Sequence, residues 1–337
     1  MTTTRTLGRS GIKVSAIGMG CWAIGGPLWG DDGQPYGWGE VDDDESIRTV
    51  HRALDLGVTL FDTASNYGAG HSERVLGRAL AGRRDQVVIA TKFGNRSDEA
   101  TRLATGTDAS PAYAVASLEA SLRRLGTDHV DLYQLHLNDL PVPAALDLVE
   151  TLEGLVDQGK IRAYGWSTDH PASARAFAGA GTHCAAIQHD QSVLKDNAAM
   201  LALCAELDQA SLNRGPLAMG LLTGRYQGSP AALGADDVRG KAPQWLAWFV
   251  DGRPTPQWAA RVAEVREALT ADGRTLAQGA LGWLLARSDR TLPIPGCRTV
   301  AQAEENFATL ALGPLPADAF AEVERLLADL RPAGVGS

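Results

Sequence analysis

The sequence predicts an α/β fold in which eight short strands alternate with helices and close into a (β/α)8 TIM barrel. Apolar runs rich in β-branched residues recur along most of the chain, and the segments between them carry apolar residues at helical spacing. Short buried strands that alternate with amphipathic helices are typical of a parallel sheet. No linker or low-complexity tract divides the 337 residues, so we expect a single barrel domain over 1–337.

The strands are predicted from the apolar runs, taken in chain order. The eight runs are Val14–Gly20, Val58–Asp62, Val87–Lys92, Asp131–His136, Ile161–Ser167, Cys184–Gln188, Ala210–Arg214 and Thr291–Ile294. Before them, Arg5–Val14 with a turn at Gly8–Gly11 predicts an N-terminal β-hairpin that plugs the bottom of the barrel.

The helices are predicted between these strands, and several begin with a capping residue or with proline at the first helical position. Examples of such starts are Ser110-Pro111 and His170-Pro171. The predicted helices are Asp44–Leu56, Ser72–Ala81, Pro111–Leu125, Ala144–Gln158, Pro171–Ala180, Asp196–Leu207, Leu276–Ala286 and Val300–Ala308.

Two aromatic-rich segments interrupt the alternation and predict long loops on the C-terminal face of the barrel. One follows the first strand and holds Trp22, Trp29, Tyr36 and Trp38. The other, Gly224–Gln257, is rich in Gly and Pro, and aromatic residues lie within it and directly after it: Trp245, Trp248, Phe249 and Trp258. Long irregular loops in compact domains are usually functional. We therefore expect these aromatics to form a wall of the substrate pocket, with ordinary structural packing as the alternative.

The composition narrows the possible partners and the compartment. Forty acidic against 31 basic residues give a net charge of −9, which argues against a nucleic-acid partner. Four scattered cysteines form no metal-like or C-x-x-C pattern, so we expect reduced thiols and no metal site. The sequence contains neither a signal-peptide pattern nor an apolar run long enough to cross a bilayer, which predicts a cytoplasmic protein. The oligomeric state is left open.

A segment near the start matches a dinucleotide-binding fingerprint, but the residues after it cannot form the helix that this motif requires. Gly18–Ala23 reads GMGCWA and fits G-x-G-x-x-A after a strand. That fingerprint requires a helix whose N-terminus holds a pyrophosphate, and the following AIGGPLWGDDGQPYGWG cannot be helical. A Rossmann fold is therefore rejected.

Polar residues close consecutive apolar strands. They are Asp62, Lys92, His136, Ser167, Gln188 and Arg214. One buried Lys or His would be unremarkable, but in a β/α barrel these ends meet on one face, where active sites lie. The pattern predicts the active site there.

The residues after the second strand, Asp62-Thr63-Ala64-Ser65-Asn66-Tyr67-Gly68, resemble the D-T-A-x-x-Y-G signature of the aldo-keto reductase superfamily. Lys92 in ATKFG and His136 in YQLH match the family's other catalytic positions, and matching segments follow in order over nearly the whole chain. The resemblance implies reduction of an aldehyde, ketone or sugar carbonyl, or the reverse oxidation, with a nicotinamide cofactor.

The chemistry of the four residues agrees with this. Tyr67 is the expected proton donor, and an ammonium beside it would lower the pKa of its hydroxyl, which makes Lys92 the natural tuning group. Asp62 is the expected counter-ion of Lys92, and His136 is expected to orient the carbonyl oxygen. Trp22 and Trp29 join Tyr67 and His136 as predicted substrate-pocket residues.

The resemblance also implies how a cofactor is held. Ser167 and Gln188 would bind the nicotinamide carboxamide and Asp62 the ribose. Most relatives have Asn where this chain has Thr168, and often an aromatic where it has Arg214, which would either stack on the nicotinamide or pair with pyrophosphate or an Asp. The remaining cofactor positions are Gly20, Cys21, Trp22, Pro216, Leu217, Gly220, Gly296, Arg298, Gln302, Glu305 and Asn306.

Arg298 is the candidate for the adenosine 2′-phosphate, at the start of a helix whose dipole favours anions. Some relatives carry a second Arg where this chain has Gln302, but NADP(H) is still favoured over NAD(H). Glu305 and Asn306 are assigned to the adenine or, alternatively, to a solvated helix face.

Two other functions remain as alternatives. One is a cofactor-binding regulatory subunit without turnover, a role that some relatives serve for ion channels. The other is a barrel enzyme that uses Lys92 as a Schiff base, for which Lys92 would have to be unpaired.

Overall fold

A computed structural model describes residues 3–226, 233–241, 243, 246 and 248–331. Its β-strands, in chain order, are β1 Thr4–Thr6, β2 Lys13–Ser15, β3 Met19–Gly20, β4 Leu60–Asp62, β5 Val88–Phe93, β6 Asn95–Asp98, β7 Leu103–Thr107, β8 Val130–Leu135, β9 Ile161–Ser167, β10 Cys184–Asp190, β11 Ala210–Arg214, β12 Phe249–Val250, β13 Arg253–Pro254 and β14 Thr291–Pro293. Its α-helices are α1 Asp43–Asp55, α2 His71–Ala79, α3 Pro111–Leu125, α4 Val142–Leu146, α5 Val149–Asp157, α6 Pro171–Ala180, α7 Ala198–Glu206, α8 Pro256–Leu269, α9 Leu276–Arg287, α10 Val300–Phe307, α11 Thr309–Leu312 and α12 Ala317–Leu326.

Eight strands form one parallel sheet in the order β14-β11-β10-β9-β8-β5-β4-β3. The two edges meet, because Gly20 forms a parallel bridge with Gly296, and the amide of Gly18 donates to the carbonyl of Pro293 at 2.9 Å. A Cβ on Gly20 would lie 2.6 Å from the Ile294 carbonyl oxygen, so this closure requires glycine. The predicted barrel and its eight strands are confirmed, except that the first strand covers only Met19–Gly20 of the predicted Val14–Gly20, because Val14 and Ser15 belong to the hairpin strand β2.

The N-terminal hairpin closes one end of the barrel. β1 and β2 pair antiparallel, and the turn between them packs against the start of β10 and bonds Asp208 through the amide of Arg9. Leu7 and Val14 are buried with side chains of the barrel interior such as Leu132 and Leu212. The predicted plug is confirmed, and it leaves only the opposite end of the barrel for a site.

The helices pack around the sheet over a second, larger apolar core. The predicted helices are present with bounds shifted by a residue or two, with one exception. The predicted helix 144–158 is wrong, because α4 and α5 are separated at Asp147–Leu148, where Leu148 bonds Ala145 at i−3 rather than i−4.

Several elements were not predicted. β6 and β7 form an antiparallel hairpin directly after β5, and α8 and α12 pack on each other outside the barrel. Within the described residues, no helix combines the length and apolarity needed to cross a membrane.

Candidate active site

The polar residues that end the strands are brought together at the open end of the barrel. Asp62, Ser167 and Arg214 are the last residues of β4, β9 and β11. Lys92 lies one residue before the end of β5, and His136 follows β8 directly. Gln188, the sixth of the set, lies within β10.

Tyr67 reaches this end from the turn between β4 and α2. The turn is compact: the amide of Tyr67 donates to the carbonyl of Ala64 at 3.2 Å, and Gly68 has a φ of +57°. A Cβ on Gly68 would lie 1.7 Å from the carbonyl oxygen of Gly25, so only glycine allows the turn to press against the loop after β3.

Lys92 is the centre of the cluster. Its side chain is fully buried, and Nζ donates to Asp62 Oδ2 at 2.6 Å, to the Thr63 carbonyl at 2.9 Å and to Tyr67 Oη at 3.0 Å. All three ammonium hydrogens therefore have a partner, which satisfies a buried cation. The paired Lys92 disfavours the Schiff-base alternative.

Asp62 is held by two amides as well as by Lys92. Its Oδ1 accepts from Gln188 Nε2 at 2.9 Å and from Gln134 Nε2 at 3.1 Å. Gln134 was not predicted from the sequence. It lies on β8, two residues before His136, and strand alternation places residues two apart on one face, so that spacing was the available signal.

The electrostatics of the cluster favour a neutral Tyr67. Burial raises the pKa of its hydroxyl, and the nearby Lys92 ammonium opposes this shift without cancelling it. The net direction is the reverse of the predicted lowering, because burial outweighs the ammonium. Burial works against the charge of Lys92, but Asp62 and Tyr67 hold the pKa of that ammonium above its usual value.

His136 faces Tyr67 with its ring edge, at 5.8 Å between ring centres. Burial lowers the pKa of His136 well below its ordinary value, and Lys92 and Arg214 add to the effect, so the imidazole is neutral at physiological pH. Its Nδ1 and the Oδ1 of Asn66 are buried without a hydrogen-bond partner. A buried polar atom without a partner is costly, so both are open to a ligand.

Two tryptophans of the first loop form a wall beside Tyr67. Trp22 stacks on Tyr67 at 6.0 Å, and Trp38 packs edge-on against Trp22 at 5.2 Å. Trp29 instead pairs through its backbone with Leu103 of β7, away from these ring contacts. Trp245 lies outside the described residues.

The side chains of Thr168 and Arg214, both predicted cofactor positions, have partners within the protein. The hydroxyl of Thr168 is buried and donates to the carbonyl of Asn138 at 2.8 Å. Arg214 forms a two-pronged ion pair with Asp169, at 3.0 and 2.6 Å. This agrees with the Asp-pairing alternative for Arg214, and it fixes the plane of the guanidinium at the open end of the barrel.

The segment after β14 makes internal contacts that were not predicted from the sequence. The guanidinium of Arg298 donates to the backbone carbonyls of Trp38 and Glu40, at 2.7 and 2.5 Å, while its amide donates to Gln302 Oε1. Asn306 is buried and bonds Cys297, and Glu305 is half-buried on α10. Arg298 therefore also joins this segment to the first loop.

The remaining predicted positions surround the same opening. Cys21 and Trp22 begin the loop after β3, and Gly296 follows β14. Pro216, Leu217 and Gly220 form the turn after β11, where Gly220 has a φ of +93°. The described residues contain no group of His, Cys, Asp or Glu arranged to hold a metal ion.

Comparison with known proteins decides the family. The profile described as "Aldo/keto reductase family" matches residues 16–328. The chain belongs to the aldo/keto reductase family. It is 33% identical over 304 residues to the aldo-keto reductase YhdN of Bacillus subtilis, covering 88% of this chain and 85% of that protein.

Two further relatives bear on this aldo/keto reductase. It is 32% identical over 316 residues to the Schizosaccharomyces pombe protein named aldo-keto reductase yakc [NADP(+)], covering 91% of this chain and 86% of the relative. Its fold matches the glycerol dehydrogenase AKR11B4 of Gluconobacter oxydans with a TM-score of 0.79 and 28% identity, over 99% and 98% of the two chains. The protein is therefore an enzyme of this family.

Proposed function

We propose that this aldo/keto reductase reduces an aldehyde, ketone or sugar carbonyl with NADP(H), and that Tyr67 gives the proton to the carbonyl oxygen. The observation that carries the proposal is the triple bonding of Lys92 to Asp62, Thr63 and Tyr67 inside the barrel opening. With Lys92 bonded in this way, the neutral phenol of Tyr67 faces the open end of the barrel beside the neutral imidazole of His136.

The residues at the opening fit a nicotinamide cofactor. Partnerless buried atoms at His136 and Asn66 lie beside the phenol, and Ser167 and Arg214 supply a hydroxyl and a fixed cation at the ends of β9 and β11. When bound, the cofactor supplies or accepts a hydride. Ser167 and Gln188 are proposed to hold its carboxamide, and Arg298 a 2′-phosphate, as the relative named for NADP(+) favours.

The chain's own part in the reaction is proton transfer and orientation. His136 holds the carbonyl oxygen within reach of Tyr67 Oη, and the phenol donates its proton as negative charge develops on that oxygen. Lys92 stabilises the resulting phenolate by the bond it already makes, and Asp62 keeps Lys92 charged and in place. In the oxidative direction the same groups act in reverse.

The substrate is proposed to be a small carbonyl compound or sugar that packs on Trp22 and Trp38. An aromatic wall suits a flat apolar face or the C–H face of a sugar. The glycerol dehydrogenase among the structural matches favours a small polyol product or substrate.

Tyr67→Phe tests the proposal. It removes only the hydroxyl, so we expect reduction of a carbonyl panel to fall by about 10²–10⁴-fold while NADPH binding, followed by fluorescence, is unchanged. Tyr113→Phe, which removes a hydroxyl from α3 outside the cluster, serves as the matched control. Full turnover in Tyr67→Phe would refute this mechanism. Cofactor binding without any turnover in the wild type would favour the regulatory-subunit alternative.

A further inference from the structure

Two loops meet over the barrel opening. The first loop follows β3 and includes Trp38, and the seventh loop follows β11 and includes the described residues 233–241. Their backbones pair: the amide of Val238 donates to the carbonyl of Gly37 at 2.9 Å, and Trp38 and Asp237 form an antiparallel bridge. This short pairing holds the aromatic wall against the seventh loop.

A buried ion pair lies at this junction. Arg239 donates to both carboxylate oxygens of Asp237, at 2.8 and 2.6 Å, and both residues are only 6% exposed. Arg239 Nη1 also donates to the Met219 carbonyl at 3.1 Å and to Tyr226 Oη at 2.8 Å. Each of the three guanidinium nitrogens therefore donates to a residue of the seventh loop.

That guanidinium lies over the ring of Trp38 in the first loop. Its central carbon is 4.5 Å from the centre of the Trp38 ring and 6.0 Å from that of Phe249. Trp38 in turn contacts Trp22, and Trp22 stacks on Tyr67. An unbroken series of ring contacts thus runs from Arg239 to the proposed proton donor.

We propose that Arg239 is a positioning residue for the substrate pocket: oriented by Asp237, it fixes Trp38 and thereby the aromatic wall that selects flat or bulky carbonyl substrates. The inference rests on the proposed function, since it concerns the pocket of that reaction. A planar guanidinium held by a bidentate carboxylate stacks on an indole face in one orientation, which a flexible ammonium cannot reproduce. A buried ion pair adds little net stability, so orientation of Trp38 is the better explanation for its place here.

Variants of Arg239 can lose activity through misfolding as well as through a displaced Trp38, so the two effects must be distinguished. Arg239→Met alone leaves the Asp237 carboxylate buried without its partner, which is destabilising. The double variant Asp237→Asn/Arg239→Met removes both charges, so it is expected to fold while still lacking the cation over Trp38. Arg253→Met, at an exposed position on β13 of the same loop, is the matched control.

The measurements are KM and kcat for 4-nitrobenzaldehyde and for acetaldehyde, with NADPH affinity and melting temperature followed beside them. In the double variant we expect KM for the aromatic aldehyde to rise about tenfold with kcat nearly unchanged, because ground-state and transition-state packing on the wall are lost together. KM for acetaldehyde and the Kd of NADPH are expected to stay within about twofold, since acetaldehyde has no ring to stack on Trp38 and the substitutions change none of the residues assigned to the cofactor. Arg239→Lys, which keeps a cation over Trp38, is expected to lie between.

Three outcomes would overturn the inference. They are a wild-type aromatic-aldehyde KM in the double variant, an equal rise in KM for both aldehydes, and a weakened NADPH affinity. Failure of the proposed function has a different signature, because the wild-type protein would then reduce neither aldehyde.

Discussion

Lys92 shows how one buried side chain can define a site. It sits in the barrel wall with no exposed surface, and each of its three hydrogens is directed at an oxygen. An uncompensated ammonium there would be strongly disfavoured, so Asp62 is needed for the fold as well as for the proposed chemistry.

Lys92→Met should therefore harm both activity and stability. We expect reduction to fall by about 10²–10⁴-fold, because the phenolate of Tyr67 loses its stabilising cation. Unfolding in urea should show a loss of about 3–5 kcal/mol, because Asp62 is left buried with amides alone. Lys195→Met, which breaks a half-exposed pair with Asp190, should change either quantity little. A Lys92→Met enzyme with wild-type turnover would contradict the assignment.

At the residue scale, the sequence indicated which polar residues meet at the open end of the barrel but not the contacts among them. Polar residues at the ends of apolar strands stand out, so Asp62, Lys92 and His136 could be found without a structure. The bonds of Arg298 to the first loop and the pair of Arg214 with Asp169 join residues far apart in the chain. Those contacts depend on how the loops after different strands meet, which no local pattern records.

At the scale of elements, α10 and the segment before it connect the proposed cofactor site to the first loop. Thr299 caps α10, and Arg298 bonds the carbonyls of Trp38 and Glu40 just before it. The positive end of the helix dipole and the guanidinium thus lie together.

Arg298→Ala tests what that arginine recognises. If it binds the 2′-phosphate, Kd for NADPH should rise by about 10- to 100-fold and Kd for NADH should change much less, because a charge-assisted bond is lost only with NADPH. Fluorescence titration of both cofactors gives the comparison, with the exposed Arg325→Ala on α12 as control. Equal changes for NADPH and NADH would assign Arg298 to loop clamping alone.

Elements that face the core were predictable, and elements that lie outside it were less so. Strands such as Val88–Phe93 are buried throughout, which the sequence records as an apolar run. The β6–β7 hairpin reads NRSDEATRLATGT and is largely exposed, so it has no such run. α8 follows directly on a segment whose Gly and Pro residues predicted only a loop, which concealed its start at Pro256.

At the scale of the whole molecule, buried histidines make stability depend on pH. Burial lowers the pKa of His189 to about 4, and the pKa of His136 also lies well below its usual value. In the unfolded chain both titrate near 6.5, so between these values the unfolded state binds more protons. The contribution of these two histidines to the free energy of unfolding is therefore fully present above about pH 6.5. It is lost as the pH falls from there toward their pKa values in the folded protein.

His189→Gln should flatten this dependence. For the wild type, His189 alone should cost about 2 kcal/mol of unfolding free energy between pH 7.5 and pH 5, and the variant should lack that share. Urea unfolding at several pH values measures both slopes. Leu312→Ala, at an exposed position that carries no titratable group, is the control and should keep the wild-type slope. Identical slopes for wild type and His189→Gln would contradict the lowered pKa, because they would show that His189 has the same pKa in the folded and unfolded states.

The position of the N-terminal hairpin also indicates where the protein can be attached to a surface. Lys13 lies exposed on β2, at the end of the barrel opposite Tyr67, and its amine contacts only the side chain of Thr6 among the described residues. A linker attached at this amine would anchor the enzyme with its opening turned toward the solution. Immobilisation on a bead or electrode through the hairpin should therefore preserve access for both cofactor and substrate.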